Sequence, residues 1–143
     1  MTTVSILKNA SQGTYADMRG MLAELRGEAK SRGTLAQLKK MVADKNTTVI
    51  VAKDGKRIVG MALLFTVQKI GRSYGLVEDV VVSSEYRGQG LGKRLMRAVI
   101  AAGRKRKLSS LFLTSKPARV TANMLYKKLG FELAKTNSYR MRL

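Results

Sequence analysis

Apolar positions change period several times along the chain, and each change marks an element boundary. Thr3 to Leu7 alternates as a strand does, until Ser11-Gln12-Gly13 interrupts it. Met18, Met21, Leu22 and Leu25 then recur at i, i+3, i+4 and i+7, the spacing that lines one face of a helix, with Gly33 expected to close the segment. A shorter helix is predicted through Leu35, Leu38, Met41 and Val42. Thr47 to Lys53 is β-branched and apolar, Asp54-Gly55 is a tight-turn signal, and Arg57 to Gln68 reads as the returning strand.

Leu76 to Ser83 reads as a further strand, whose unbroken Val80-Val81-Val82 implies burial on both faces near the sheet centre. Beyond Arg87-Gly88-Gln89-Gly90-Leu91-Gly92 the period turns helical, and Leu91, Leu95, Ala98, Val99 and Ala102 share a face as far as Gly103. Leu108 to Thr114 supplies a strand and Ala118 to Leu129 a helix ended by Gly130, with Phe131 to Leu133 and Ser138 to Leu143 as two closing strands. The order β-α-α-β-β-β-α-β-α-β-β is that of a mixed α/β fold, a sheet with helices on its faces. No internal repeat or linker divides residues 1–143, so one domain is expected.

Composition narrows the chemistry. Hydrophobic residues make up 45% of the chain and charged residues 26%, enough to bury a core. Cysteine and histidine are both absent, which removes disulfides, zinc sites built on thiolate or imidazole, and every triad with an imidazole base. With no signal-like amino end, a reducing cytoplasmic setting is expected. The longest apolar uncharged run, Ile58 to Gln68, is well short of the roughly 20 residues a membrane span needs. Lys and Arg number 28 against nine Asp and Glu, a net charge of +19 that favours anionic partners. From Tyr86 to Phe131 every charged residue is basic. An anion site, if present, belongs to this half.

Gly88, Gly90 and Gly92 stand between a strand and a helix, where glycine permits positive φ and lets successive N–H groups face a phosphate with the helix dipole behind them. Arg87 and Lys93 flank them and are placed to pair with the remaining phosphate oxygens. No Gly-Lys-Ser/Thr closes the loop as a Walker A would, and the strand before it is the fourth of the chain, unlike a dinucleotide fingerprint. The loop resembles the acetyl-CoA loop of the GNAT superfamily of N-acetyltransferases, matched by Arg87, Gly90 and Gly92. A second motif agrees, since Ala122, Leu125, Tyr126, Leu129, Gly130 and Phe131 fit that family's Ala-x-x-Leu-Tyr-x-x-x-Gly-Phe signature. Locally, Gly75 to Asp79 with Tyr86 and Gly88 to Lys93 is similar to glucosamine-6-phosphate acetyltransferases. The resemblance implies a mixed, mostly antiparallel sheet of about six to seven strands flanked by about four helices.

By the same resemblance the chain moves an acetyl group from acetyl-CoA to a primary amine, without a metal. Residues Arg87, Gly88, Gln89, Gly90, Leu91, Gly92 and Lys93 would hold the pyrophosphate, and the backbone of Val80 and Val82 the pantetheine amides, with an N–H near Val81 or Val82 polarising the thioester. Many relatives carry Asn where this chain has Arg119, which leaves Arg119, or Asn123 one turn later, as the candidate pantetheine contact alongside Tyr126. Tyr126 is the implied general acid, a role worth about 100- to 10,000-fold in rate, against an alternative in which the ring only packs. Glu78 or Asp79, adjacent on a strand and expected on opposite faces, would take the amine proton, bind a cationic substrate, or form structural ion pairs. Without Cys or His, direct attack in a ternary complex is favoured over an acetyl-enzyme.

The resemblance lines the acceptor cleft with the first two helices, a loop near Arg72 to Gly75 and the terminal strands. The acceptor is either an amino-sugar phosphate or a protein amine. Homodimers are common in the family. The run Arg104-Lys105-Arg106-Lys107 lies too far along its helix for the cofactor and serves helix-end electrostatics, solubility or an acidic macromolecule. The other readings are a basic nucleic-acid-binding module and a family member that senses acetyl-CoA without transferring it. The methionines are expected in the core.

Overall fold

The computed structural model describes residues 1–29 and 32–143. They form two compact units, Met1–Leu113 and Thr114–Leu143.

The first unit is built in the order β1 (Thr2–Ile6), α1 (Gln12–Arg26), α2 (Leu35–Ala43), β2 (Thr47–Asp54), β3 (Arg57–Lys69), β4 (Arg72–Val82), a 3-10 turn at Ser84–Tyr86, α3 (Leu91–Lys105) and β5 (Leu111–Phe112). The strands lie side by side in chain order, antiparallel from β1 to β4, with β5 parallel to β4. β2 is buried along Thr47–Ala52 because helices cover both faces of the sheet. Val49, Val51, Met61, Leu63 and Val81 meet Met18, Met21 and Leu38 of α1 and α2. On the other face α3 buries Leu91, Leu95, Met96 and Val99, and Leu95 comes so close to β3 that a Cβ at Gly60 would lie 3.0 Å from it.

Local chemistry fixes the helix ends. The Ser11 hydroxyl accepts the Thr14 N–H at 3.1 Å, and Thr34 with Gln37 forms a capping box. Gly27, at φ 65°, ends α1 and takes the closing role expected of Gly33. The hairpin turn falls on Gly55-Lys56, one residue later than expected, because Asp54 already pairs with Arg57.

Several expectations are corrected by partner availability. β4 starts at Arg72 rather than Leu76, since pairing with β3 from Lys69 overrides a polar, glycine-containing stretch. The expected loop at Arg72–Gly75 is therefore strand. Of the valine run only Val81 is buried, Val80 and Val82 being partly exposed, because β4 has β5 as a neighbour only at Gly75 and Leu76. The predicted strand Leu108–Thr114 shrinks to Leu111–Phe112 for the same reason.

The second unit holds α4, Val120–Lys128. The Phe131–Leu133 and Ser138–Leu143 segments are not strands, so the sheet has five rather than six or seven. Leu133, Tyr139, Met141 and Leu143 are all exposed, so these segments lack the burial that would drive pairing. Met124 and Met141 are exposed too and do not serve as core. Among the described residues no helix is long and apolar enough to cross a membrane.

Candidate active site

The glycine loop departs from β4 through the Ser84–Tyr86 turn and ends at α3. Tyr86 anchors it by donating its hydroxyl to Asp54 Oδ2 at 2.7 Å, a bond that holds the Asp54 carboxyl below its ordinary pKa and raises that of Tyr86. Gly88 and Gly90 have φ of 75° and 78°, and the space a Cβ would enter is open at both. Gly92 already lies within α3. Gly90 is the N-cap and supplies no side-chain acceptor, so the first-turn N–H groups of α3 present their positive end at the loop.

Arg87 faces inward. Its Nε donates to the Val82 carbonyl at 3.0 Å and its Nη2 pairs with Glu24 Oε1 of α1 at 2.7 Å. Ser83 N–H donates to Val59 O at 2.9 Å, so by strand alternation the backbone groups of Val82 point away from β3. Both partners of the Arg87–Glu24 pair are about half exposed, and such pairs contribute roughly 0–1 kcal/mol. A phosphate can therefore displace Glu24 at little cost. Lys93 is exposed, and Gln89 reaches back to the Glu85 carbonyl at 3.3 Å.

The two acidic candidates part company at a β-bulge. Met61 pairs with Val81 but Leu63 pairs with Glu78, leaving one extra residue in β4, and Asp79 there takes φ 50°. The bulge breaks the simple alternation expected of Glu78 and Asp79. Asp79 Oδ2 accepts from Arg26 Nη2 at 3.0 Å and lines a cavity of about 450 Å³ between α1, α2 and the sheet. Glu78 stays exposed and outside it. The cavity wall is mainly apolar, with Met18, Leu22, Leu38, Met61 and Phe65 among its residues.

In the second unit Tyr126 is 6% exposed and meets Phe131 edge-on, ring centroids 6.0 Å apart. Burial raises its pKa, partly offset by the positive charge of Arg119. Asn123 donates its side-chain amide to the carbonyls of Lys116 and Arg119, both at 2.9 Å, which ties down the chain entering α4. Its nitrogen is thus committed, whereas the Arg119 side chain is exposed.

The basic run has a partly structural account. Arg106 donates to the Lys45 carbonyl and to Thr66 Oγ1, and Lys107 closes α3 at φ 56° as Leu108 N–H reaches Gly103 O at 3.0 Å. Sequence reading missed Glu24 and Arg26, for the contacts Arg87–Glu24 and Arg26–Asp79 join residues 63 and 53 positions apart. No local spacing signals such pairs.

Residues 15–131 match the acetyltransferase (GNAT) family. The chain belongs to that family. It is 30% identical over 103 residues to N-acetyltransferase 8B of Rattus norvegicus, covering 71% of this chain and 46% of the relative. It is 38% identical over 88 residues to the glucosamine 6-phosphate N-acetyltransferase of Trypanosoma brucei brucei, covering 59% and 58%. Among solved structures, a transcriptional regulator from Bacillus halodurans C-125 superposes with a TM-score of 0.83 at 27% identity over 100% of both chains. The chain spans about half the length of the curated relatives it matches. The matched span, residues 15–131, includes the glycine loop and α4.

Proposed function

We propose that this GNAT protein is an acetyl-CoA-dependent N-acetyltransferase acting on a primary amine. The observation that carries the reading is the loop itself: two glycines at positive φ, open on the side where a Cβ would stand, lead into a helix whose N-cap offers no side chain. The donors fit a pyrophosphate, and Arg87 and Lys93 supply the cations.

Val80 and Val82, on the β4 edge that β5 leaves after Leu76, pair with the pantetheine amides, and the Val82 N–H polarises the thioester carbonyl. Arg87 must yield the Val82 carbonyl or share it. The neutral amine attacks the carbonyl carbon, a C–N bond forms and the C–S bond breaks. Tyr126 gives its proton to the departing thiolate. The amine proton leaves to Asp79, to Glu78 or to water. A tyrosine whose pKa is raised by burial stays protonated at neutral pH, as an acid must before transfer.

Calorimetric titration with acetyl-CoA and with CoA tests the reading, repeated on Gly90→Glu. Micromolar binding by the wild type, lost in the variant, is expected. A well-folded wild type that binds neither overturns it.

A further inference from the structure

The cavity between α1, α2 and the sheet selects a substrate class. Its apolar lining is dominated by Met18, Leu22, Met41, Met61, Leu63 and Phe65, and its volume of about 450 Å³ lies within the range of small-molecule sites, roughly 300–1,000 Å³. Among the described lining residues the charged groups are Arg19, Arg26 and Lys40 against one carboxylate, Asp79. Asp79 and Arg26 stand 3.0 Å apart, so an acidic and a basic group are offered side by side. Asp79 holds that place in a left-handed conformation, a strained arrangement of the kind found at binding sites.

Building on the acetyl-transfer reading, we infer that the acceptor is a free α-amino acid with an apolar side chain. Such a molecule carries an ammonium and a carboxylate on one carbon, which match Asp79 and Arg26, and its side chain enters among thioether and leucine carbons. An amino-sugar phosphate would suit the cations, but its ring hydroxyls would meet a mainly apolar wall and the side chains of Tyr15, Thr34 and Gln37, which already hold hydrogen bonds of their own, and each hydroxyl left unpaired costs roughly tenfold or more in affinity. An apolar amine without a carboxylate would bring a further positive charge to a mouth where three cations face one acid. A peptide amino terminus lacks the adjacent carboxylate. Three methionines in the wall adapt to side chains of different shape, so leucine, methionine and phenylalanine are all accommodated. Transfer turns the ammonium into a neutral amide, with release of one proton and CoA thiol, which weakens the hold of Asp79 and favours product release.

Two measurements on the full chain test this. The first follows the methyl signals of Met18, Met41 and Met61 by NMR, with CoA present, on addition of L-leucine, L-phenylalanine, their amides, or glucosamine 6-phosphate. Saturable shifts with the free amino acids and much weaker ones with the amides are expected, and Arg26→Gln should erase the difference. The second compares kcat/KM, expected at least tenfold higher for L-leucine than for leucinamide or glucosamine 6-phosphate. Silent methyls, equal response to acid and amide, or preference for the sugar phosphate overturn the inference while leaving the transferase reading standing. Methyl shifts with L-leucine in a protein that neither binds acetyl-CoA nor turns over any amine would support the amino-acid site and overturn the transferase reading instead.

Discussion

Tyr126 and Phe131 close helix α4 together: the Phe131 N–H reaches the Tyr126 carbonyl at 3.0 Å while their rings meet edge-on. With Gly130 at φ 98° and its N–H on Lys127 O, this is a Schellman cap with its hydrophobic contact. The spacing Tyr-x-x-x-Gly-Phe therefore has a structural reason that does not involve the phenol. The hydroxyl itself makes no hydrogen bond among the described residues, which leaves its proton available. Tyr126→Phe keeps the ring contact and removes only the proton, so turnover is expected to fall by about 100-fold or more with CoA affinity and melting temperature nearly unchanged. Unchanged turnover would mean that the tyrosine only packs. Phe131→Ala, in contrast, should lower stability by about 1 kcal/mol or more through loss of the ring pair and its burial.

Gly75 has no room for a side chain. A Cβ there would lie 2.6 Å from Leu111 and 2.7 Å from Leu64. Gly75→Val is expected to destabilise by about 1–3 kcal/mol or more and to part β5 from β4, read by chemical denaturation and by loss of amide protection at Gly75, whose N–H donates to Ser110 O at 2.9 Å.

Lys107 occupies the left-handed position that closes α3, where glycine is the least strained residue. Lys107→Gly should raise stability by up to about 1 kcal/mol. A lower melting temperature would show that the lysine side chain contributes more than its backbone strain costs.

Acid should destabilise the protein through two aspartates. Asp44 is held below its ordinary pKa first by the Asn46 N–H at 3.0 Å and then by the Thr47 hydroxyl at 2.7 Å, and Asp54 first by the Tyr86 hydroxyl and then by the charge of the amino terminus. A carboxyl with a lowered folded pKa adds stability above its unfolded value and loses it as pH falls through the folded value. The melting temperature should thus be level down to about pH 5 and decline below the unfolded aspartate value of about 3.9. In the Thr47→Val, Tyr86→Phe double variant the decline should be shallower, and an unaltered slope would assign it to other groups.

Exchange of Arg87 separates anion binding from fold. Its pair with Glu24 is half exposed and weak, so Arg87→Gln should leave the folding stability within about 0.5 kcal/mol of wild type, while CoA affinity drops about tenfold through loss of a charged phosphate contact. Titration calorimetry beside a thermal melt reads both.

The element order from β1 to α4 could be read from the chain because it rests on short-range physics. Met18, Met21 and Leu22 mark a helical face of α1, Ser11 caps that helix as Thr34 caps α2, and Gly55, Gly88 and Gly90 take turns that other residues resist. Absence of thiol and imidazole, and the glycine-rich loop between a strand and a helix, follow from residue types alone. The extra residue at Asp79, the pairing of Arg26 with Asp79 and of Arg87 with Glu24, and the missing closing strands were decided only in three dimensions. Each depends on which strand lies opposite at which register, and on whether an apolar segment finds a surface to cover it. Propensity acts over a few neighbouring residues, whereas register and burial are properties of the whole sheet.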